Sequence, residues 1–83
     1  MRRKTLFLRL TSGHHRNVTF KDFADLVEAF GFVQTHGKGS HLIYEHPEVE
    51  DILNLQPMRG EAKPYQIRQF LKIVELYNLT MED

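Results

Sequence analysis

The sequence predicts a two-layer α+β domain in the order helix, three antiparallel strands, helix. Three observations lead there. Apolar residues recur at helical spacing in two segments, near 20–30 and 64–77. The stretch between them breaks into three short β-like runs bounded by glycine and proline. And 83 residues, 41% hydrophobic and 27% charged, are enough for one small core and too apolar for a disordered chain. Strands set between helices, with one sheet face covered by both helices, give two layers.

The first helix begins after Thr19, with Asp22 three residues on in a shortened capping box. Phe20, Phe23, Ala24, Val27 and Phe30 share one face, with Leu26 beside them. Asp22 and Asp25 favour the positive end of the helix dipole, and Gly31 can take the left-handed conformation that ends it. Three strands are expected at 32–36, 41–45 and 52–56, the last two stopped by Pro47 and Pro57. His36-Gly37-Lys38-Gly39 reads as the first turn, and the polar run 46–51 as the second connection. The last helix opens at Pro64, whose missing N–H costs nothing at a first helical position, and stops near Asn78. Ile67, Phe70, Leu71 and Val74 form its apolar stripe, so the core is expected to hold these four with Phe23, Val27 and Phe30. Residues 5–10 fit a helical turn or a short strand equally well, because six residues carry too little periodicity. The chain thus divides into a basic arm (1–16), a core (17–78) and an acidic tail (79–83).

Composition excludes some chemistry. No cysteine is present, so disulfides, thiolate metal sites and a cysteine nucleophile are ruled out. No apolar run approaches the ~20 residues of a membrane helix. The basic start resembles a signal peptide, but Arg9 interrupts the apolar stretch after it, so a cytoplasmic location is expected. The zero net charge hides a pattern. Residues 1–21 carry six positive charges and no acid, 22–58 carry seven acids against Lys38, and 59–72 are basic again. Basic stripes of this kind bind phosphate by releasing counterions, though a neutral total limits nonspecific affinity for nucleic acid. Solvated helix faces account for the same charges.

Five histidines raise the question of a metal. His41 and His46 would point to opposite faces of one regular strand, and no H-x-x-x-H pair lies on a helix, so no metal or other cofactor is expected. His14 and His15, in Ser-Gly-His-His-Arg, read as surface residues. Gly37-Lys38-Gly39-Ser40-His41 offers more. Lys38 can neutralise a phosphate, Ser40 can hydrogen-bond it, and His41 can move a proton near neutral pH. A plain hairpin with an incidental histidine is the simpler alternative.

Gly31-Phe32 followed by Gly39-Ser40-His41-Leu42-Ile43-Tyr44-Glu45-His46-Pro47 resembles the HicA toxins of bacterial toxin–antitoxin pairs. Gln56-Pro57-Met58-Arg59-Gly60-Glu61-Ala62-Lys63-Pro64-Tyr65 is similar to that family's closing strand, loop and entry to the last helix. The likeness covers roughly residues 17–78. It implies a double-stranded-RNA-binding-domain-like fold and a small metal-independent endoribonuclease that cleaves mRNA. It also implies a HicB-like antitoxin partner. The family's catalytic histidine carries over to His41. Arg59 stands where many members have a histidine, and this chain is neutral where many are strongly basic.

The sequence reading is therefore a HicA-like mRNA interferase with His41 as general base or acid. Lys38, Ser40, Arg59, Lys63 and Arg68 are the expected RNA-binding residues, with mRNA and a HicB-like antitoxin as partners. The free form is expected to be a monomer or weak dimer with no membrane association. The rival is a noncatalytic RNA-binding or protein-interaction module of the same fold, which the neutral charge and the absent second histidine favour.

Overall fold

A computed structural model describes residues 2–38 and 41–81, with Lys38 represented by its backbone. The expected turn residue Gly39, the candidate Ser40 and the acidic end of the tail lie outside the described residues. The element order is α1 (Arg3–Thr11), α2 (Phe20–Ala29), β1 (Val33–Lys38), β2 (His41–His46), β3 (Val49–Leu55) and α3 (Pro64–Leu76). The strands form one antiparallel sheet in the order β1-β2-β3. Helix, three antiparallel strands and helix appear as expected, with α1 added in front.

α2 forms as the sequence dictates. The Thr19 hydroxyl accepts from the backbone N–H of Asp22 at 3.2 Å, satisfying one of the amides a helix start leaves unpaired. Gly31 takes φ +97° just past the helix end. A side chain there would be strained, and its Cβ would lie 2.8 Å from the His46 ring. α3 opens on Pro64 and closes with Asn78 at φ +55°.

α1 resolves the segment that periodicity left open. Leu6 and Leu10, one turn apart, are fully buried, while Leu8 faces solvent at 67% exposure. Phe7 packs at a tilt against Phe30, just past the end of α2, at 5.0 Å between centroids, so part of the segment read as a basic arm is built into the core. Ser12 and Gly13, the latter at φ +96°, end the helix.

The sheet differs from expectation at its turns. β1 continues through His36 and Gly37 to Lys38, so the first turn is shorter than the predicted 36–39. Residues 46–51 are not a connection either. His46 ends β2, Val49–Asp51 begin β3, and only Pro47 and Glu48 turn. The cause lies in the sheet's two faces. Leu53, Leu55, Tyr44 and Phe32 face the helices and are buried, whereas Glu50, Asp51, Thr35 and His36 face or border solvent. A strand wet along part of its length is polar enough to read as a loop.

Phe70 lies at the centre of the core, edge-on to Phe23 (5.6 Å) and Phe30 (5.5 Å) of the α2 segment and against Phe32 (6.0 Å). Six of the seven expected core residues are buried; Leu71 is half-buried on the rim of the same cluster.

Candidate functional site

His41 opens β2 and its side chain is exposed. Along β2, Leu42 and Tyr44 turn toward the helices, so His41, Ile43 and Glu45 alternate onto the open face of the sheet. His41 is the register partner of Lys38 on β1, which places these two residues directly across from each other. Leu42 pairs with Leu55, so the start of β2 lies beside the end of β3 and the loop that follows it.

That loop carries Arg59. Met58 and Glu61 exchange backbone hydrogen bonds at 2.9 and 3.0 Å, and Arg59 and Gly60 between them take φ +53° and +78°. This is a two-residue turn with both central residues in left-handed conformation, where Asn-Gly or Gly-Gly is the preferred pair. An arginine at its first position costs roughly 1–2 kcal/mol. The turn is pinned from outside, by the Phe20 N–H donating to the Gly60 carbonyl (2.8 Å) and the Ala62 N–H to the Val18 carbonyl (2.9 Å). Arg59 itself is exposed.

Lys63 and Arg68 sit differently. The Lys63 ammonium donates to the Gln56 side-chain oxygen at 3.2 Å, so this half-buried cation is tied to the end of β3. Arg68 is exposed on α3 and lines a cleft with Arg9 and Arg16, remote in sequence from the hairpin. His41, Lys38, Arg59 and Lys63 therefore belong to one end of the sheet, and Arg68 to the helix layer beside it.

Sequence reasoning missed Gln66. It is buried, donating to the Asn54 carbonyl and accepting from the Gln56 N–H, both at 3.2 Å. These bonds fix where β3 ends relative to α3. Its position four residues before Phe70, in phase with the buried stripe, was the available signal.

The other histidines have local partners. His46 packs edge-on against Phe32 at 5.1 Å, and its Nδ1 accepts from the Glu48 N–H at 3.0 Å, stapling the Pro47-Glu48 turn. His36 lies 3.2 Å from the Thr35 hydroxyl on the open face. Among the described residues no three His, Asp or Glu side chains converge as a metal site. Tyr44 lies on the opposite face from His41. Burial, then the charges of Glu28 and Asp25, push its hydroxyl pKa up.

The model of the HicA toxin of bacterial toxin–antitoxin systems matches residues 20–76, well over half of the chain. The chain belongs to the HicA toxin family. The match runs from the first residue of α2 to the last of α3, and so takes in His41, Arg59, Lys63 and Arg68. α1 lies outside it. Comparison with curated proteins and with solved structures returned no match. As a HicA toxin, the chain implies an antitoxin partner. No helix among the described residues is long and apolar enough to cross a membrane.

Proposed function

We propose that this HicA toxin is a metal-independent endoribonuclease that cleaves mRNA with His41 as its proton-transfer residue. The observation that carries the reading is the position of His41: inside the family-matched region, exposed, and across the hairpin from Lys38. RNA brings its own nucleophile. His41 takes the proton of a 2′-hydroxyl, whose oxygen attacks the adjacent phosphorus. The bond from phosphorus to the 5′ oxygen breaks, the leaving oxygen takes a proton from water, and His41 returns its own proton to solvent, leaving a 2′,3′-cyclic phosphate and a 5′-hydroxyl. The enzyme supplies a base, a held geometry and positive charge for the crowded phosphate. Lys38 and Arg59 supply that charge, Ser40 a hydrogen bond, and Lys63 a fixed cation beside β3.

The HicB-like antitoxin fits the same face. Val33 and Ile52 are exposed at 61% and 52%, with half-buried Ile43 between their strands. They are apolar anchors on the sheet that carries the cations at its other end: Val33 is the register partner of Glu45, and Lys38 lies five residues on along β1. Charge complementarity steers the encounter and is weakened by salt.

Inducing the protein in a host without its antitoxin is expected to stop growth and fragment mRNA. Growth arrest with intact mRNA, or no arrest, overturns the nuclease reading in favour of the noncatalytic module that the neutral net charge suggests.

Arg59→Asn tests the cation separately, because asparagine suits the left-handed turn position that arginine strains. The variant should be as stable as the wild type or more so by a few tenths of a kcal/mol to about 1 kcal/mol. It should bind both RNA and antitoxin more weakly at low salt. Unchanged affinity for both ligands, measured by fluorescence anisotropy, would remove Arg59 from the site.

A further inference from the structure

We propose that the cleft between the α1–α2 loop and the first turns of α3 is a second RNA site, one that grips a backbone phosphate away from His41. The inference rests on the ribonuclease reading for the identity of the ligand, and on the following geometry for the site itself. The cleft encloses about 380 Å³ and is lined by Arg9, His14, His15, Arg16, Pro64 and Arg68, with Gly13 and Asn17 completing it. No acid is among these lining residues, and among the described residues none of the three arginines pairs with a carboxylate.

Three arginines lining one cleft concentrate positive charge there, which an entering anion would neutralise. The cleft is also held in shape. Half-buried Arg9 donates to the Arg16 carbonyl, which ties the end of α1 to the loop. The His15 Nε2 donates to the Leu10 carbonyl at 2.9 Å, and this ring is half-buried too. Asn17 at φ +58° turns the chain into α2. From the other side, α3 begins at Pro64, so the positive end of its dipole adds to the same potential.

The three arginines in the lining point to a phosphate, whose oxygens a guanidinium's planar fork pairs two at a time. The location points to the strand being cut. α3 is fixed to the end of β3 through Gln66, and β3 pairs with β2 one residue from His41. In a molecule of 30 × 28 × 21 Å, one extended strand reaches both. Arg9 to Asn17 lie outside the family-matched residues, so α1 and its loop add this grip to the HicA unit.

The test uses binding, which needs no catalysis. In the His41→Ala background, a short labelled single-stranded RNA is titrated by anisotropy across salt concentrations. Arg16→Gln with Arg68→Gln, both exposed positions, should weaken binding by more than about tenfold. The slope of log affinity against log salt should become shallower by about 1.4, for two charges at about 0.7 each on a single strand. Arg16→Lys with Arg68→Lys should keep the slope and lose part of the affinity, because charge remains while the fork does not. Should the glutamine variant melt early, phenylglyoxal modification of the His41→Ala protein gives an independent reading: bound RNA should protect Arg16 and Arg68. Unchanged affinity and slope, or no protection, overturns the cleft while leaving any RNA cleavage by the wild type untouched. Cleft-dependent binding by a wild type that cleaves no RNA supports the cleft and overturns the nuclease reading.

Discussion

Replacing His41 by alanine is expected to slow RNA cleavage by about 10²- to 10⁴-fold while leaving the fold and the affinity for RNA nearly intact. The magnitude is that of one proton-transfer role, and it follows from His41 being the residue proposed to carry the 2′-hydroxyl proton. The exposed ring at the start of β2 supports no core packing, so stability should move by no more than about 0.5 kcal/mol. The measurement is single-turnover cleavage of a labelled RNA, with thermal melting as control and product ends analysed for 2′,3′-cyclic phosphate. His46→Ala is the informative comparison. Its ring packs on Phe32 and staples a turn, so it should lose stability without a loss of rate in the remaining folded protein. If His41→Ala cleaves at the wild-type rate, the proton-transfer assignment is wrong. If His46→Ala is the slow variant in its folded form, the two histidines have been given each other's roles.

The helices were legible where a local rule and the tertiary environment agreed. Thr19, Asp22 and Gly31 mark the ends of α2 by hydrogen bonding and left-handed backbone, and the structure uses them for that. α1 was ambiguous because Leu6, Leu8 and Leu10 alternate as a strand would, whereas burial selects Leu6 and Leu10 alone. Gly13, placed just after Thr11-Ser12, was the stop signal that favoured a helix. The strand ends failed for a different reason. Glu50, Asp51, His36 and Gly37 lie on the wet part of the sheet, where hydrogen bonding between strands sets the structure and side-chain hydropathy does not report it.

The candidate site shows the same division. His41 and Lys38 were legible together because the hairpin that faces them is local: three residues apart in sequence, they are register partners. The strain at Arg59 was not, since it depends on a turn pinned by Val18 and Phe20, about forty residues away. The arginine cleft is less local still. Arg9, Arg16 and Arg68 form no motif, and only the docking of α1 beside α3 brings them around one space.

Replacing Phe70 by alanine should cost about 3–5 kcal/mol, most of the stability that a domain of this size has. Its ring is fully buried and meets Phe23, Phe30 and Phe32 at once, and Phe30 in turn carries Phe7 of α1. The hole left behind would be walled by residues from α2 and the start of the sheet, each fixed by its own backbone bonds, so collapse around it is restricted. That places the cost toward the upper part of the range. With a urea slope of about 1 kcal/mol per M, the unfolding midpoint should fall by roughly 3–5 M, or the variant should be unfolded without urea. Leu71→Ala, one residue on but half-buried, should cost clearly less. Because the same ring supports the layer behind β2, cleavage by Phe70→Ala should fall in proportion to the unfolded fraction and return on cooling or on adding a stabilising osmolyte. A stability loss below about 1 kcal/mol would mean that the aromatic cluster is not the centre of the core. A folded Phe70→Ala protein that has lost cleavage would mean that the helix layer acts on the site by more than support.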